Sequence, residues 1–244
     1  MVRQPSLTER FLAETLGTFL LIFFGGGSAA LATLSLRNGH PQGLADLVLV
    51  ALAHGFGIFA AIMIIGKVSG AHINPAVTLA LASIGRTAWE DVTGYLAGQI
   101  LGALLGAGAI LVVYGKFAAT IGHLGAPHLS VGTSMVQGFF VEAIGAAILV
   151  ISIVATAIDS RSPVGWAGLT VGLTLAALIM VLGPATGASL NPARAFGPDF
   201  LDVFFGVQIN WVTYFVTYLL APIVGGIAGA HLYSRIARMP RPKR

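Results

Sequence analysis

Long apolar stretches alternate with short polar breaks along the whole chain. Six of them, Phe11 to Leu34, Leu47 to Gly66, Val92 to Tyr114, Met135 to Ile158, Val164 to Gly183 and Val207 to Leu232, are rich in helix-compatible apolar residues, Gly and Ala. Each is long enough to cross about 30 Å of hydrocarbon at ~1.5 Å per residue. The pattern predicts an all-α membrane protein with six spans. Two shorter segments lie outside the spans, after the second and after the fifth. The first reads Ser69-Gly-Ala-His-Ile-Asn-Pro-Ala-Val77 and the second Thr186-Gly-Ala-Ser-Leu-Asn-Pro-Ala-Arg194, identical at five of nine positions. An internal duplication is the simplest source of that likeness.

Each copy predicts the same local structure. Asn stands where an N-cap belongs, and Pro occupies the first helical position, where its missing N–H is no loss. Apolar helix formers follow until Gly85 in one half and Gly197-Pro198 in the other. Two short helices are therefore expected, starting at Asn74 and Asn191. Three spans plus one half-length helix make a unit, and the unit occurs twice, over about residues 10–115 and 133–234 of a single domain covering 1–244. An odd number of spans per unit inverts the second unit relative to the first. The half-helices then enter from opposite faces, and their N-termini meet near the midplane. Irregular backbone at that depth must line a wet cavity or be buried in protein, so the pattern points to a polar passage.

Composition narrows the setting. Apolar residues make up 56% and charged residues 9%, against about a quarter charged in ordinary soluble domains. The chain has no Cys, which removes disulfides, thiolate catalysis and Cys-ligated metals, and nothing calls for a cofactor or a metal. The first apolar run is too long for a cleavable signal and is expected to remain as a span. Basic residues gather at one set of span ends: Arg3, Arg10, Lys67, Arg86, Arg235, Arg238, Arg241, Lys243 and Arg244, with Arg37 and Lys116 opposite. A positive-inside signal accounts for them and for the net charge of +4, with no nucleic-acid partner required. Both termini are expected on the cytoplasmic side, and the short termini favour a prokaryotic plasma membrane.

The paired motifs, the six-plus-two plan, Glu14 to Phe19 (Glu-x-x-Gly-Thr-Phe) and Asn191-Pro-Ala-Arg-Ala-Phe-Gly-Pro198 together resemble the aquaporin, or major intrinsic protein, family. The likeness covers residues 10–234. It implies a passive channel for water and small neutral solutes in the lipid bilayer, assembled as a homotetramer with one pore per subunit. It also implies that Asn74 and Asn191, with Pro75, Ala76, Pro192 and Ala193, form the pore centre as donors to passing water. Carbonyls of Gly70, Ala71, His72, Gly187, Ala188 and Ser189 are expected to form a ladder of acceptors. Two helix N-termini, each worth roughly half a positive charge, repel cations at the centre. Arg194 adds a full charge, and an intramembrane Arg is functional by default.

By spacing from the motifs, the resemblance places the selectivity filter on His54, Ile179, Ala188 and Arg194. This set is similar to that of plant tonoplast intrinsic proteins, some of which also pass ammonia, urea or hydrogen peroxide. His123 and His128, in the loop before the fourth span, are candidates for an additional filter group, His128 the stronger. Glu14 and Glu142 occupy similar places in the first and fourth spans, and they are expected to accept hydrogen bonds from the irregular backbone before each half-helix.

Other classes stay open. A glycerol or urea facilitator stays the main alternative; glycerol is the weaker candidate beside water, because Ala195 stands where glycerol facilitators of the family carry Asp and no Trp or Phe occupies the filter positions. A coupled transporter needs an exchangeable carboxylate, for which only Glu14 and Glu142 qualify. An intramembrane enzyme needs a nucleophile and a base, and Ser69, Ser189 and His72 sit in no recognisable nucleophile motif.

Overall fold

The computed structural model describes residues 3–36, 39–40 and 42–240; Arg37, Arg241, Lys243 and Arg244 of the charge argument lie outside them. Six helices span: α1 (Leu7–Ser35), α2 (Leu44–Ser69), α4 (Trp89–Tyr114), α5 (Met135–Ile158), α6 (Ala167–Thr186) and α8 (Trp211–Ile236). Two half-helices, α3 (Pro75–Ser83) and α7 (Pro192–Asp202), stand between them. The described residues contain no strand. Most helices begin or end a few residues beyond the apolar runs, because charged residues serve the first turn without interrupting it. Ser6 Oγ accepts from the Glu9 amide while the Glu9 carboxylate accepts from Ser6 N at 2.7 Å, a capping box that starts α1 before Phe11. Asp46 accepts from Gly43 N at 2.8 Å at the start of α2.

The inverted repeat is visible in how helices pair. α1 lies against α4, and its counterpart α5 lies against α8; α2 and α6 cross at the interface of the halves. Each half-helix reaches across to the other half, α3 against α8 and α7 against α4. Small residues permit these approaches. A Cβ on Gly55 would lie 2.7 Å from the Gly172 carbonyl oxygen, and one on Gly172 would lie 2.6 Å from that of Gly55. A Cβ on Gly98 would lie 2.6 Å from Phe11 O, and Gly225 and Gly229 meet the carbonyls of Ala143 and Ala147 in the same way. Gly225→Ala is therefore expected to lower stability by about 1–3 kcal/mol through overpacking. Gly108→Ala, with no neighbour within 4 Å of the added carbon, is expected to be neutral or slightly stabilising. Thermal melts of the two variants in detergent compare them directly.

One face of the molecule is defined by polar ties between segments far apart in sequence. Arg10 pairs with Asp91 at 2.6 Å, Arg86 donates to Pro240 O at 2.8 Å, and Arg161 donates to Ala237 O at 3.1 Å. The start of α1, the start of α4, the α5–α6 loop and the end of α8 thus share one face. Arg161 also grips Asp159 and holds that carboxyl well below the usual carboxylate range. On the opposite face, the loop after α4 folds inward: Leu124 is fully buried, and Gly125, at φ 74°, is close against the Gly26 carbonyl.

Candidate functional site

The site forms where the N-termini of α3 and α7 meet. Asn74 has extended backbone (φ −154°, ψ 122°), and its side-chain oxygen accepts from Ala76 N at 2.8 Å. Asn191 does the same for Ala193 N at 3.0 Å and Arg194 N at 3.2 Å. Pro75 and Pro192 sit at the first helical positions. The expected helix starts are therefore present in both copies, but α7 runs through Gly197 and Pro198 to Asp202, past the interruption expected there.

The amide nitrogens add something the motif alone does not reveal. Asn74 Nδ2 donates to Leu190 O at 2.8 Å, and Asn191 Nδ2 donates to Ile73 O at 3.0 Å. Each Asn ties its own half-helix to the loop of the other half. A carboxamide has two N–H groups, so one remains on each side for a solute oxygen. Because both amide oxygens are occupied as caps, the pair presents donors only.

The loops before the half-helices take up left-handed backbone. Gly70, Ala71 and Ile73 have φ of 85°, 52° and 59°, and Gly187, Ala188 and Leu190 have 77°, 44° and 53°. For a β-branched residue such as Ile73 this is a strained conformation, costing on the order of 1–3 kcal/mol. Two buried carboxylates hold it. Glu14 accepts from Ser69 Oγ (2.6 Å), His72 N (2.9 Å), Ile73 N (2.6 Å) and Gln99 Nε2 (2.7 Å). Glu142 accepts from Thr186 Oγ1 (2.6 Å), Ser189 N (2.9 Å) and Leu190 N (2.6 Å). With the amides drawn toward the carboxylates, the carbonyls of Gly70, Ala71, His72, Gly187, Ala188 and Ser189 take no donor among the described residues. The carbonyls at the loop ends are taken: Tyr95 donates to Ser69 O at 2.6 Å, and Tyr218 to Thr186 O at 2.9 Å. His72 contributes its backbone amide to Glu14, while its Nδ1 lies 3.1 Å from Thr78 Oγ1 and its ring packs on Tyr95.

Of the four positions expected to form the filter, His54 and Arg194 are in direct contact: Arg194 Nη2 lies 3.1 Å from His54 Nε2. His54 Nδ1 lies 2.9 Å from Val50 O. A carbonyl can only accept, so Nδ1 carries the proton and Nε2 receives the guanidinium hydrogen. Both ring nitrogens are thereby satisfied. The Nε and Nη1 of Arg194 remain buried without a protein partner. Ile179 and Ala188 are buried in one apolar cluster with Ala71, Ile73 and Leu190. His128 is exposed on the loop that abuts Gly187, where an added Cβ would come within 3.4 Å of His128 N. It makes no hydrogen bond to His54 or Arg194 among the described residues.

Several residues of the site carry no motif. Gly25 leaves the space that the His54 ring fills, since any Cβ there would overlap the imidazole. Gln99, Tyr95 and Tyr218 hold the loops from neighbouring spans. The phase match of Tyr95 and Tyr218, each 21 or 27 residues past its half's Asn motif, is too irregular for the repeat to have exposed it.

Two opposed half-helices within six spans, with free carbonyls, two amide donors and a buried Arg along one route, make the frame of a membrane channel. The Major intrinsic protein family profile matches residues 1–233. The chain is 43% identical over 245 residues to a probable aquaporin AqpM of Archaeoglobus fulgidus, covering 96% of this chain and 98% of that one. It is 34% identical to aquaporin NIP1-1 of Zea mays, covering 100% of this chain and 80% of that one. Among solved structures, the aquaglyceroporin from Plasmodium falciparum superposes with a TM-score of 0.84 at 28% identity, covering 95% of this chain and 97% of that one. The chain belongs to the major intrinsic protein (aquaporin) family. Members of this family are channels and not enzymes, so the enzyme reading lapses. These relatives are AqpM and NIP sequences, and the likeness of the filter to tonoplast intrinsic proteins stands on His54, Ile179, Ala188 and Arg194 alone.

Proposed function

We propose that the channel is passive, conducts water as its principal solute, also passes ammonia, and excludes protons and ions. The contact between Arg194 and His54 carries this reading. It fixes a full positive charge with two unpartnered donor groups beside the Ala188 loop, which opposes cations while offering hydrogen bonds to a neutral solute. Deeper in, Asn74 and Asn191 present donors without acceptors. A water that accepts from both must point its own hydrogens outward, so the water chain cannot relay a proton through that point.

The bonding of Glu14 and Glu142 speaks for a channel over a coupled transporter. Each carboxylate already accepts three hydrogen bonds from the pore loop and its frame, and Glu14 a fourth from Gln99 of α4, so releasing either for exchange would let the carbonyl ladder collapse. The fold likeness to an aquaglyceroporin favours a second reading, in which glycerol or urea passes. Ala195 in place of the Asp of glycerol facilitators, and the lack of Trp or Phe at the four filter positions, weigh against it. We further propose a homotetramer with one pore per subunit and both termini cytoplasmic. Arg3, Arg10, Lys67, Arg86, Arg161, Arg235 and Arg238 sit near the ends of helices on one face, and Lys116 lies on the other, in support of that orientation.

Stopped-flow light scattering of proteoliposomes after an osmotic step tests the water reading. Shrinkage well above that of empty vesicles, with weak temperature dependence, is expected; shrinkage at the bare-bilayer rate overturns it. Glycerol swelling as fast as water flow would favour the second reading. His54→Phe removes the acceptor that aims Arg194 and puts a larger ring in its place. Loss of one such hydrogen bond, worth about 1 kcal/mol, is expected to lower the ammonia-to-water permeability ratio about fivefold. Equal ratios in the two proteins count against an ammonia role for this wall.

A further inference from the structure

The two halves of the repeat differ in how they share out volume beside the passage. Carried across at the Asn74-to-Asn191 spacing, His54 of α2 corresponds to Val171 of α6. At the Glu14-to-Glu142 spacing, Gly25 of α1 corresponds to Ile153 of α5. Val171 is buried in the apolar cluster that Ile153 packs against, so one half sets a large side chain beside a small one. The other half sets an imidazole beside no side chain at all. Polar chemistry from the second span is present only where the neighbouring span carries glycine.

The fit at Gly25 is tight. A carbon added there would lie 2.5 Å from His54 Cγ, 2.3 Å from Cδ2 and 2.6 Å from Nε2. Near-equal distances to three consecutive ring atoms put that carbon over the face of the imidazole, not beyond its edge. Carbon atoms rest about 3.5–4.0 Å apart, so any side chain at this position requires the ring to back off by ~1 Å. The helix cannot give way instead. Ile22 is fully buried in a cluster with Ile110 and Leu124, and a Cβ on Gly125 would come within 2.1 Å of Gly26 O. Gly25 also lies in the π-helical turn Ile22–Gly26, a departure from α geometry that is frequent at functional sites.

Two bonds hold the imidazole in its own plane, to Val50 O at 2.9 Å and to Arg194 Nη2 at 3.1 Å. Moving the ring off its face bends both, and hydrogen bonds favour near-linear geometry. We propose that Gly25 is a positioning residue of the filter: by lacking a side chain it keeps the His54 imidazole in line with Arg194, and so sets the preference among small neutral solutes. The proposal rests on the reading of His54 and Arg194 as filter residues. Gly25 itself offers no group to the solute.

Four variants of the full chain in lipid bilayers test this: Gly25→Ala, Gly27→Ala, His54→Ala and the double variant Gly25→Ala/His54→Ala. A carbon on Gly27 meets nothing closer than Ile110 Cγ1 at 3.6 Å, so Gly27→Ala controls for a methyl added to the same helix. The nitrogen-15 signals of His54, identified by their loss in His54→Ala, report the bond to Arg194 whichever solute passes. Gly25→Ala is expected to move the Nε2 signal toward that of an unbonded imidazole nitrogen and to lower the ammonia-to-water permeability ratio about fivefold, the loss of one hydrogen bond of about 1 kcal/mol. Gly27→Ala should match wild type in both. With no ring to strike, Gly25→Ala should change the His54→Ala ratio less than twofold. Should Gly25→Ala alone not fold, recovery of the His54→Ala melting midpoint in the double variant supports the contact, and continued failure overturns it. An unmoved Nε2 signal, or an equal fall in the ratio with and without His54, also overturns the proposal. A wild type that passes no ammonia would strike the ammonia reading alone, and the Nε2 signal would then decide the role of Gly25.

Discussion

Arg194→Val is expected to raise the urea permeability of proteoliposomes on the order of tenfold and to admit a measurable cation leak, while water flow persists. In wild type the guanidinium is held by His54 Nε2 at 3.1 Å and keeps two donor nitrogens unpartnered. It is buried, so its field is little screened by water. Valine removes the charge, shortens the side chain and leaves His54 Nε2 without a donor. A solute wider than water gains cross-section, and a cation loses its strongest opposing charge. The half-helix N-termini and the Asn donors remain, so proton exclusion should fall less than sodium or potassium exclusion. Urea swelling rates and ion-selective fluorescence on the same vesicles separate the two effects, and unchanged values for both would remove Arg194 from the filter.

Glu142→Ala is expected to cost roughly 3–6 kcal/mol of stability and to abolish water conduction in whatever protein survives. Three donors lose their acceptor at once: Thr186 Oγ1, Ser189 N and Leu190 N. A buried donor left unsatisfied costs about 1–3 kcal/mol. Two of the three are the amides that hold Ser189 and Leu190 in a strained loop, so the carbonyls of Gly187, Ala188 and Ser189 would lose their direction. Gln in place of Glu142 keeps the size but turns one acceptor into a donor that faces other donors, and an intermediate loss is expected. The thermal midpoint in detergent, read beside osmotic shrinkage of vesicles, checks both arms. A Glu142→Ala protein that melts as wild type would mean the carboxylate is dispensable to the loop.

Much of this architecture was legible in the residues. Apolar run length located six spans, and the repeated Asn-Pro-Ala frame located two half-helices, because N-cap and proline preferences are local and survive any tertiary setting. Span ends were less legible, since capping carboxylates such as Glu9 and Asp46 look like breaks in hydropathy but start helices. The acids Glu14 and Glu142 declared themselves by their cost in an apolar run. Gly25 did not, because one glycine among Gly25, Gly26 and Gly27 is indistinguishable until the His54 ring is placed beside it. The second bond of each Asn was hidden for a related reason. Its acceptor is a backbone carbonyl over a hundred positions away, and a carbonyl has no sequence signature.

Those crossed amide bonds also set an order of assembly. Asn74 and Ile73 need Leu190 O and Asn191 Nδ2, which emerge from the ribosome only after five of the six spans have been made. Until then Glu14 and Tyr95 of the first half already hold the loop, but Ile73 O and the Asn74 amide lack their partners at a depth where unpaired polar groups are costly. The last two bonds of the first loop are therefore supplied from the opposite side, by residues in the last quarter of the chain.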